Sequence, residues 1–259
     1  MSDSAPLHEH VAVVTGAGSG LGAAIARRLA AAGAHVVVND LHAAAADVVA
    51  KEVDGEAAAF DVADSAAFDA AVDATVARHG RLDVLVNNAG GAPFAMADKA
   101  SPRFHESIIS LNLLAPFHLA QRANAMMQAQ AEGGVIVFVA SISALRPSPG
   151  TAAYGAAKAG ILSLTGSLAV EWAPKVRVVA VSPGLVRTEQ SNLHYGDEAG
   201  IAAVAQTVPM QRLAEPADIG NACVFLASPA AGYASGTNLV LHGGGERPAF
   251  LAAAGVNRD

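Results

Sequence analysis

A tyrosine and a lysine stand four residues apart in "AAYGAAKAG", residues 152–160, in a chain with only three tyrosines. On a helix, positions i and i+4 share one face, so Tyr154 and Lys158 would present a phenol and an ammonium side by side. A phenol ordinarily titrates near ~10, and holding its anion near neutrality takes roughly 4 kcal/mol. One ammonium about 4 Å away supplies on the order of 4 kcal/mol at an effective dielectric of about 20. Tyr154 is therefore a candidate proton carrier and Lys158 its activator. The small Gly155, Ala156 and Ala157 leave room for a cofactor against the same helix.

A second group of residues points to that cofactor. "VAVVTGAGSGLGAAIARRLAAAG" reads as strand, glycine turn and helix, with glycines at 16, 18, 20 and 22. Glycine lets the backbone approach a pyrophosphate, and a helix starting near Leu21 aims unpaired N–H groups and its positive dipole end at that phosphate. The next strand ends at Asp40, 18 residues beyond Gly22, where a carboxylate can accept from both adenosine ribose hydroxyls. The same carboxylate would repel a 2′-phosphate, and neither Ser19 nor Leu41 offers a cation to hold one. NAD rather than NADP is the expected cofactor.

The elements that must position these residues are legible as alternating runs. Apolar stretches begin at 11, 35, 57, 82, 135, 176 and 237, and consecutive apolar residues of this kind form strands covered on both faces. Alanine-rich segments of helical length lie between them, at 21–32, 42–52, 65–79, 104–131, 152–173 and 216–227. Such alternation predicts an α/β fold: one domain over 1–259, a Rossmann-type doubly wound parallel sheet of about seven strands with helices on both faces. Pro116 should distort its helix around residues 112–116. Residues 184–215 are the least regular part and form a candidate lid over about 185–215; the tail is 246–259.

Composition excludes several classes of function. Hydrophobic residues make up 53% and charged residues 15%, enough to build a large core. The net charge of −7 and the lack of any basic run argue against nucleic acid and anionic membranes as partners. Cys223 is alone, which excludes an intrachain disulfide and suits a reducing compartment; it reads as a small buried hydrophobe. "MSDSAPLHEH" lacks an apolar signal core, no apolar stretch reaches the roughly 20 residues a span needs, and a cytoplasmic location is expected. "HEH" at 8–10 reads as a solvated tail, since no third metal ligand is apparent.

The chain resembles the short-chain dehydrogenase/reductase family over about 8–245. "TGAGSGLG" is similar to the family's cofactor motif, with Thr15 opening the turn, and "NNAG" at 87–90 to the segment after its fourth strand. "DV" at 61 and 62 is similar to its adenine-contacting pair, and "SPGLVRT" at 182–188 to the loop that closes on the nicotinamide. Ser141 precedes Tyr154 by 13 residues, the family spacing, and Asn112 takes the matching place in "SLNLLAPF". The resemblance implies a catalytic tetrad of Asn112, Ser141, Tyr154 and Lys158. Tyr154 would exchange the proton with the substrate oxygen, and Ser141 would hold that oxygen. Lys158 would lower the tyrosine pKa and bind the nicotinamide ribose; the Asn112 backbone would hold a water joined to Lys158. Cofactor contacts are expected at Gly16, Ser19, Gly20, Leu21, Gly22, Asp40, Asp61, Val62, Asn88, Ala89 and Gly90. Tyr154, Lys158, Pro183, Gly184, Val186 and Thr188 complete the set. Hydride would pass directly between nicotinamide and the carbinol carbon, with no metal. Ser143 is the alternative to Ser141, and Asn112 could instead cap or bend its helix. The segment before the sixth strand is one residue short of the family pattern, and Val179 replaces its usual asparagine.

Substrate should meet Pro93, Phe94, Met96, Ile142, Leu145, Leu193, Tyr195 and Ile201, and His194 is a further candidate. This mostly apolar set favours a hydrophobic ketone or secondary alcohol, cyclic, steroid-like or acyl, over a sugar. A 3-oxoacyl thioester reductase is the runner-up, because "MMQAQAEGG" and "SLAVEWA" lack the basic residues that relatives use to grip an acidic carrier. An idle dinucleotide sensor is the reading from a different class, and the four tetrad types at family spacing count against it. The resemblance further implies a homotetramer, with Phe250 and Leu251 helping to cover a neighbouring subunit.

Overall fold

Runs of β-branched residues form a central parallel sheet whose strands alternate between two cores. A computed structural model describes residues 5–246 together with Pro248 and Phe250. The strands are β1 (Val11–Val14), β2 (His35–Asp40), β3 (Glu56–Ala59), β4 (Val84–Asn87), β5 (Gly134–Val139), β6 (Val176–Pro183) and β7 (Asn238–Leu241). All pair in parallel, in the order β3-β2-β1-β4-β5-β6-β7. The helices are α1 (Gly20–Ala31), α2 (Ala43–Glu52), α3 (Ser65–His79), α4 (Pro102–Ile109), α5 (Ala115–Ala129), α6 (Ala152–Trp172), α7 (Ser191–Tyr195), α8 (Glu198–Thr207) and α9 (Pro216–Ala227).

The period of two along each strand sends neighbouring residues to opposite faces. Val14, Val38, Val86, Val137 and Val181 face Ile25 and Leu29 of α1, Val49 of α2 and Ile219 and Leu226 of α9. Val13, Val37, Leu85, Ile136 and Val178 face Phe68 of α3, Leu119 and Met127 of α5 and Ile161 of α6. Each such side chain contributes about 1.5–3 kcal/mol when fully buried. Chain order reverses between β1 and β4, so the crevice outside their carboxyl ends is the place where this fold accepts a ligand.

The helix expected over 104–131 is interrupted where Pro116 predicted. Residues Ser110–Leu114 form a π-helical turn between α4 and α5. Pro116 has no N–H for the Asn112 carbonyl four residues earlier, and the Ala115 N–H reaches back five residues to Ser110.

The segment 184–215 is more ordered than its composition suggested. It carries α7 and α8, and Asp197 caps α8 by accepting from the Gly200 N–H at 3.0 Å. A bridge between Val186 and Ala214 closes the base of this lid. The histidines of "HEH" lie in a turn that is anchored, because Leu7 is fully buried in the core. Among the described residues, no helix is long and apolar enough to cross a membrane.

Candidate active site

The carboxyl ends of the strands open into one cleft of about 780 Å³. After β1 the chain makes the glycine turn, and Gly16, Ser19, Gly20, Leu21 and Gly22 line the cleft. Ser19 stands at the N-cap of α1 but its side chain caps nothing, which leaves the first-turn N–H groups to an anion. A Cβ on Gly22 would collide with the carbonyl of Gly16. These features fit a pyrophosphate: open donors, a positive helix end and no side chain in the way.

At the far end of the cleft, Asp40 closes β2 and is held by two backbone donors. Its Oδ2 accepts from the Gly18 N–H and its Oδ1 from the His42 N–H, each at 3.0 Å. Asp61 and Val62 line this end as expected, beside Leu41, together with Phe60 and His42, which the sequence reading did not single out. Phe60 was findable, since it is the aromatic residue directly before Asp61 at the end of a strand. Glu189 and Gln190 also line the cleft, just beyond Thr188, where no recognised spacing marked them.

Thr15 ties the glycine turn to the segment after β4. Its hydroxyl accepts from the N–H groups of Asn88 and Ala89 at 3.0 and 3.1 Å, and the Asn88 amide donates to the carbonyls of Thr15 and Gly16 at 2.9 and 3.1 Å. Asn88, Ala89 and Gly90 thereby form one wall. Behind it, Asn112 is fully buried and is the one tetrad residue outside the cleft lining. Its side chain exchanges two 2.9 Å hydrogen bonds with the backbone of Gly91 and donates to the Ile108 carbonyl at 2.9 Å. Gly90 makes this approach possible, because a Cβ there would lie 2.6 Å from Asn112 Oδ1 and 3.3 Å from Lys158 Nζ.

Ser141, directly after β5, and Tyr154 and Lys158 on α6 line the same cleft. Ser143 turns away and shares a 3.1 Å hydrogen bond with Ser148. Burial pushes the Tyr154 phenol above its ordinary value, and a hydrogen bond with Ser141 opposes that rise. Lys158 is 4% exposed, and burial pulls its ammonium down to about 8. Its 2.9 Å hydrogen bond runs to the carbonyl of Val139, a neutral acceptor, and its Nζ stands 5.6 Å from the centre of the Tyr154 ring. The lysine beside the phenol is thus less firmly charged than spacing alone suggested, because it is desolvated. Pro183, Gly184, Val186 and Thr188 descend from β6 along the opposite wall. The segments leaving Gly90, Ser141 and Gln190 carry exposed Phe94, Met96, Leu145 and Leu193. Ile201, in contrast, is 4% exposed and belongs to the interior of the lid.

A cleft that joins a phosphate-accepting helix end to a phenol and an ammonium defines a nucleotide-dependent oxidoreductase. A family model described as Enoyl-(Acyl carrier protein) reductase matches residues 16–246. The D-threitol dehydrogenase of Mycolicibacterium smegmatis is 40% identical over 240 residues, 90% of this chain and 92% of that protein. A solved 7 alpha-hydroxysteroid dehydrogenase, complexed with NADH and 7-oxo glycochenodeoxycholic acid, superposes with a TM-score of 0.87 at 34% identity, covering 96% and 98% of the two chains. The 3-ketoacyl-(acyl-carrier-protein) reductase from Brucella melitensis, complexed with NADH, superposes with a TM-score of 0.85 at 35% identity, covering 92% and 98%. The chain belongs to the short-chain dehydrogenase/reductase family. It is an oxidoreductase that acts on CH–OH groups with a nicotinamide dinucleotide.

Proposed function

We propose that this oxidoreductase prefers NAD and interconverts a hydrophobic secondary alcohol and its ketone, with Tyr154 as the proton carrier. The observation that carries the reading is the joining of Ser141, Tyr154 and Lys158 to the Asp40 end of one cleft. Asp40 receives the adenosine ribose hydroxyls and disfavours a 2′-phosphate; Asp61 and Val62 flank the adenine. The open N–H groups of α1 hold the pyrophosphate. Val186 and Thr188 hold the carboxamide. When bound, the nicotinamide supplies an acceptor or donor of hydride for the carbinol carbon. The Tyr154 oxygen takes the hydroxyl proton during oxidation and returns it during reduction. Ser141 keeps the substrate oxygen within reach of that phenol. Lys158 holds the nicotinamide ribose and favours the phenolate, and the Asn112 carbonyl, left without an α-helical donor by Pro116, holds a water that links Lys158 to solvent.

The exposed Phe94 and Leu193, 71% and 81% accessible, favour an apolar substrate over a small polyol. A 3-oxoacyl thioester reductase is the second reading, favoured by the likeness to the Brucella reductase. Val170 on α6 is 80% exposed and Tyr233 before β7 is fully exposed, which favours burial between subunits of a homotetramer. Phe250 is exposed and available for such a role, while Leu251 lies outside the described residues. The chain works as one catalytic domain, in the cytoplasm. The test is NAD(H) turnover with a bulky cyclic ketone, acetoacetyl-CoA and D-threitol side by side. Turnover of the cyclic ketone supports the reading, turnover of the thioester alone supports the second, and turnover of the polyol alone overturns both.

A further inference from the structure

At the end of the sheet opposite the cleft, three side chains from distant parts of the sequence converge. His35 opens β2, Glu56 opens the edge strand β3, and His79 closes α3. One atom from each, two imidazole nitrogens and a carboxylate oxygen, lie within 4.8 Å of one another. The Nε2 atoms of His35 and His79 stand 3.3 and 2.9 Å from the same Glu56 oxygen, Oε1. Ligands about 2.0–2.1 Å from a tetrahedral zinc ion are about 3.3 Å apart, so these spacings match a coordination sphere with little movement.

We propose that His35, Glu56 and His79 bind a divalent transition-metal ion, with Zn²⁺ the best fit, which clips β3 to β2 and α3. Two imidazoles and one carboxylate are the ligand set of zinc and its neighbours, whereas magnesium and calcium take oxygen. The His35 Nε2 is shielded from solvent and has no hydrogen-bond partner among the described residues, a state that a ligated ring nitrogen escapes. Arg78 pairs with the other Glu56 oxygen, Oε2, while Oε1 faces the imidazoles and shares a 2.9 Å hydrogen bond with His79 Nε2 that an ion would replace. Three protein ligands leave one position for water. The edge strand explains the use of such a clip: β3 is paired on one side only, and its residues are half-buried or exposed. Twenty or more residues separate each ligand from the next, so no local motif announced the site; the contiguous "HEH" at 8–10 drew attention instead.

The experiment is calorimetric titration of the EDTA-treated full chain with ZnCl₂, alongside thermal unfolding. The expected result is one saturable equivalent and a higher unfolding temperature that EDTA reverses. The double variant His35→Gln/His79→Gln should lose about tenfold or more in affinity. A His8→Ala/His10→Ala control should not, and NADH binding by fluorescence should be unchanged in both. Absence of saturable binding, or equal affinity in the double variant, overturns the proposal. Arg78→Gln keeps all three ligands and removes a positive charge beside the ion, so it should tighten binding several-fold. A failure to tighten contradicts the site even if the double variant does not fold.

Discussion

The ammonium of Lys158 stands 5.6 Å from the centre of the Tyr154 ring and donates its hydrogen bond to the carbonyl of Val139, 2.9 Å away. The lysine is buried with a neutral partner, and its pKa falls to about 8 from an ordinary 10.5. Between those values the unfolded chain binds a proton that the folded chain has released, so rising pH favours the folded state. Below about 8 both states are protonated and the cost is constant, about 3 kcal/mol. Lys158→Met should therefore stabilise the dinucleotide-free protein at pH 7, with an advantage that shrinks as pH rises from 8 towards 10.5. Urea unfolding of both proteins at several pH values checks this; parallel pH dependences would refute it.

Tyr154 is pushed the other way. Burial raises its phenol above the ordinary value, so the free protein holds it protonated at neutral pH. Oxidation of an alcohol needs the phenolate, and reduction of a ketone needs the phenol. The kcat/KM for oxidation should rise with pH, while that for reduction should stay level until the pH approaches the raised value of the phenol. Initial rates in both directions between about pH 6 and 10 test the rise against the plateau.

Asp40 should govern the choice of dinucleotide. Asp40→Ser replaces two carboxylate acceptors with one hydroxyl and removes one negative charge from the ribose end of the cleft. The KM for NAD should rise by roughly 10–100-fold, the loss expected for hydrogen bonds to a charged group, while that for NADP falls. Steady-state kinetics with both dinucleotides decide it.

Gly90→Ala should damage the site from behind. The new methyl would stand 2.6 Å from Asn112 Oδ1, whose amide bonds Gly91 and Ile108. Overpacking of this kind costs about 1–3 kcal/mol, and activity should fall further than stability because Lys158 shares the contact. Comparing the shift in urea midpoint with the change in kcat separates the two.

Much of this was legible in the sequence, for a physical reason. Strands buried on both faces are written as unbroken apolar runs, and the glycine turn and the i, i+4 pair are local patterns. Pro116 announced the π-helical turn because a missing N–H has one local consequence. The helices of the lid escaped notice because α7 is only one turn long and α8 is announced by Asp197 alone. Glu189, Gln190 and the His35–Glu56–His79 cluster escaped because only the folded chain assembles them. The state of Lys158 was misjudged in degree, since desolvation depends on packing that spacing does not encode.

The central claim is that Tyr154 carries the proton in a dinucleotide-dependent reaction at a secondary carbinol. The most direct measurement is turnover of Tyr154→Phe beside its NADH affinity by fluorescence, using whichever ketone the wild-type protein reduces. The account predicts a loss of about 10²–10⁴-fold in kcat, the range for removing a general acid, with NADH binding nearly unchanged. Turnover within a few-fold of wild type would contradict it.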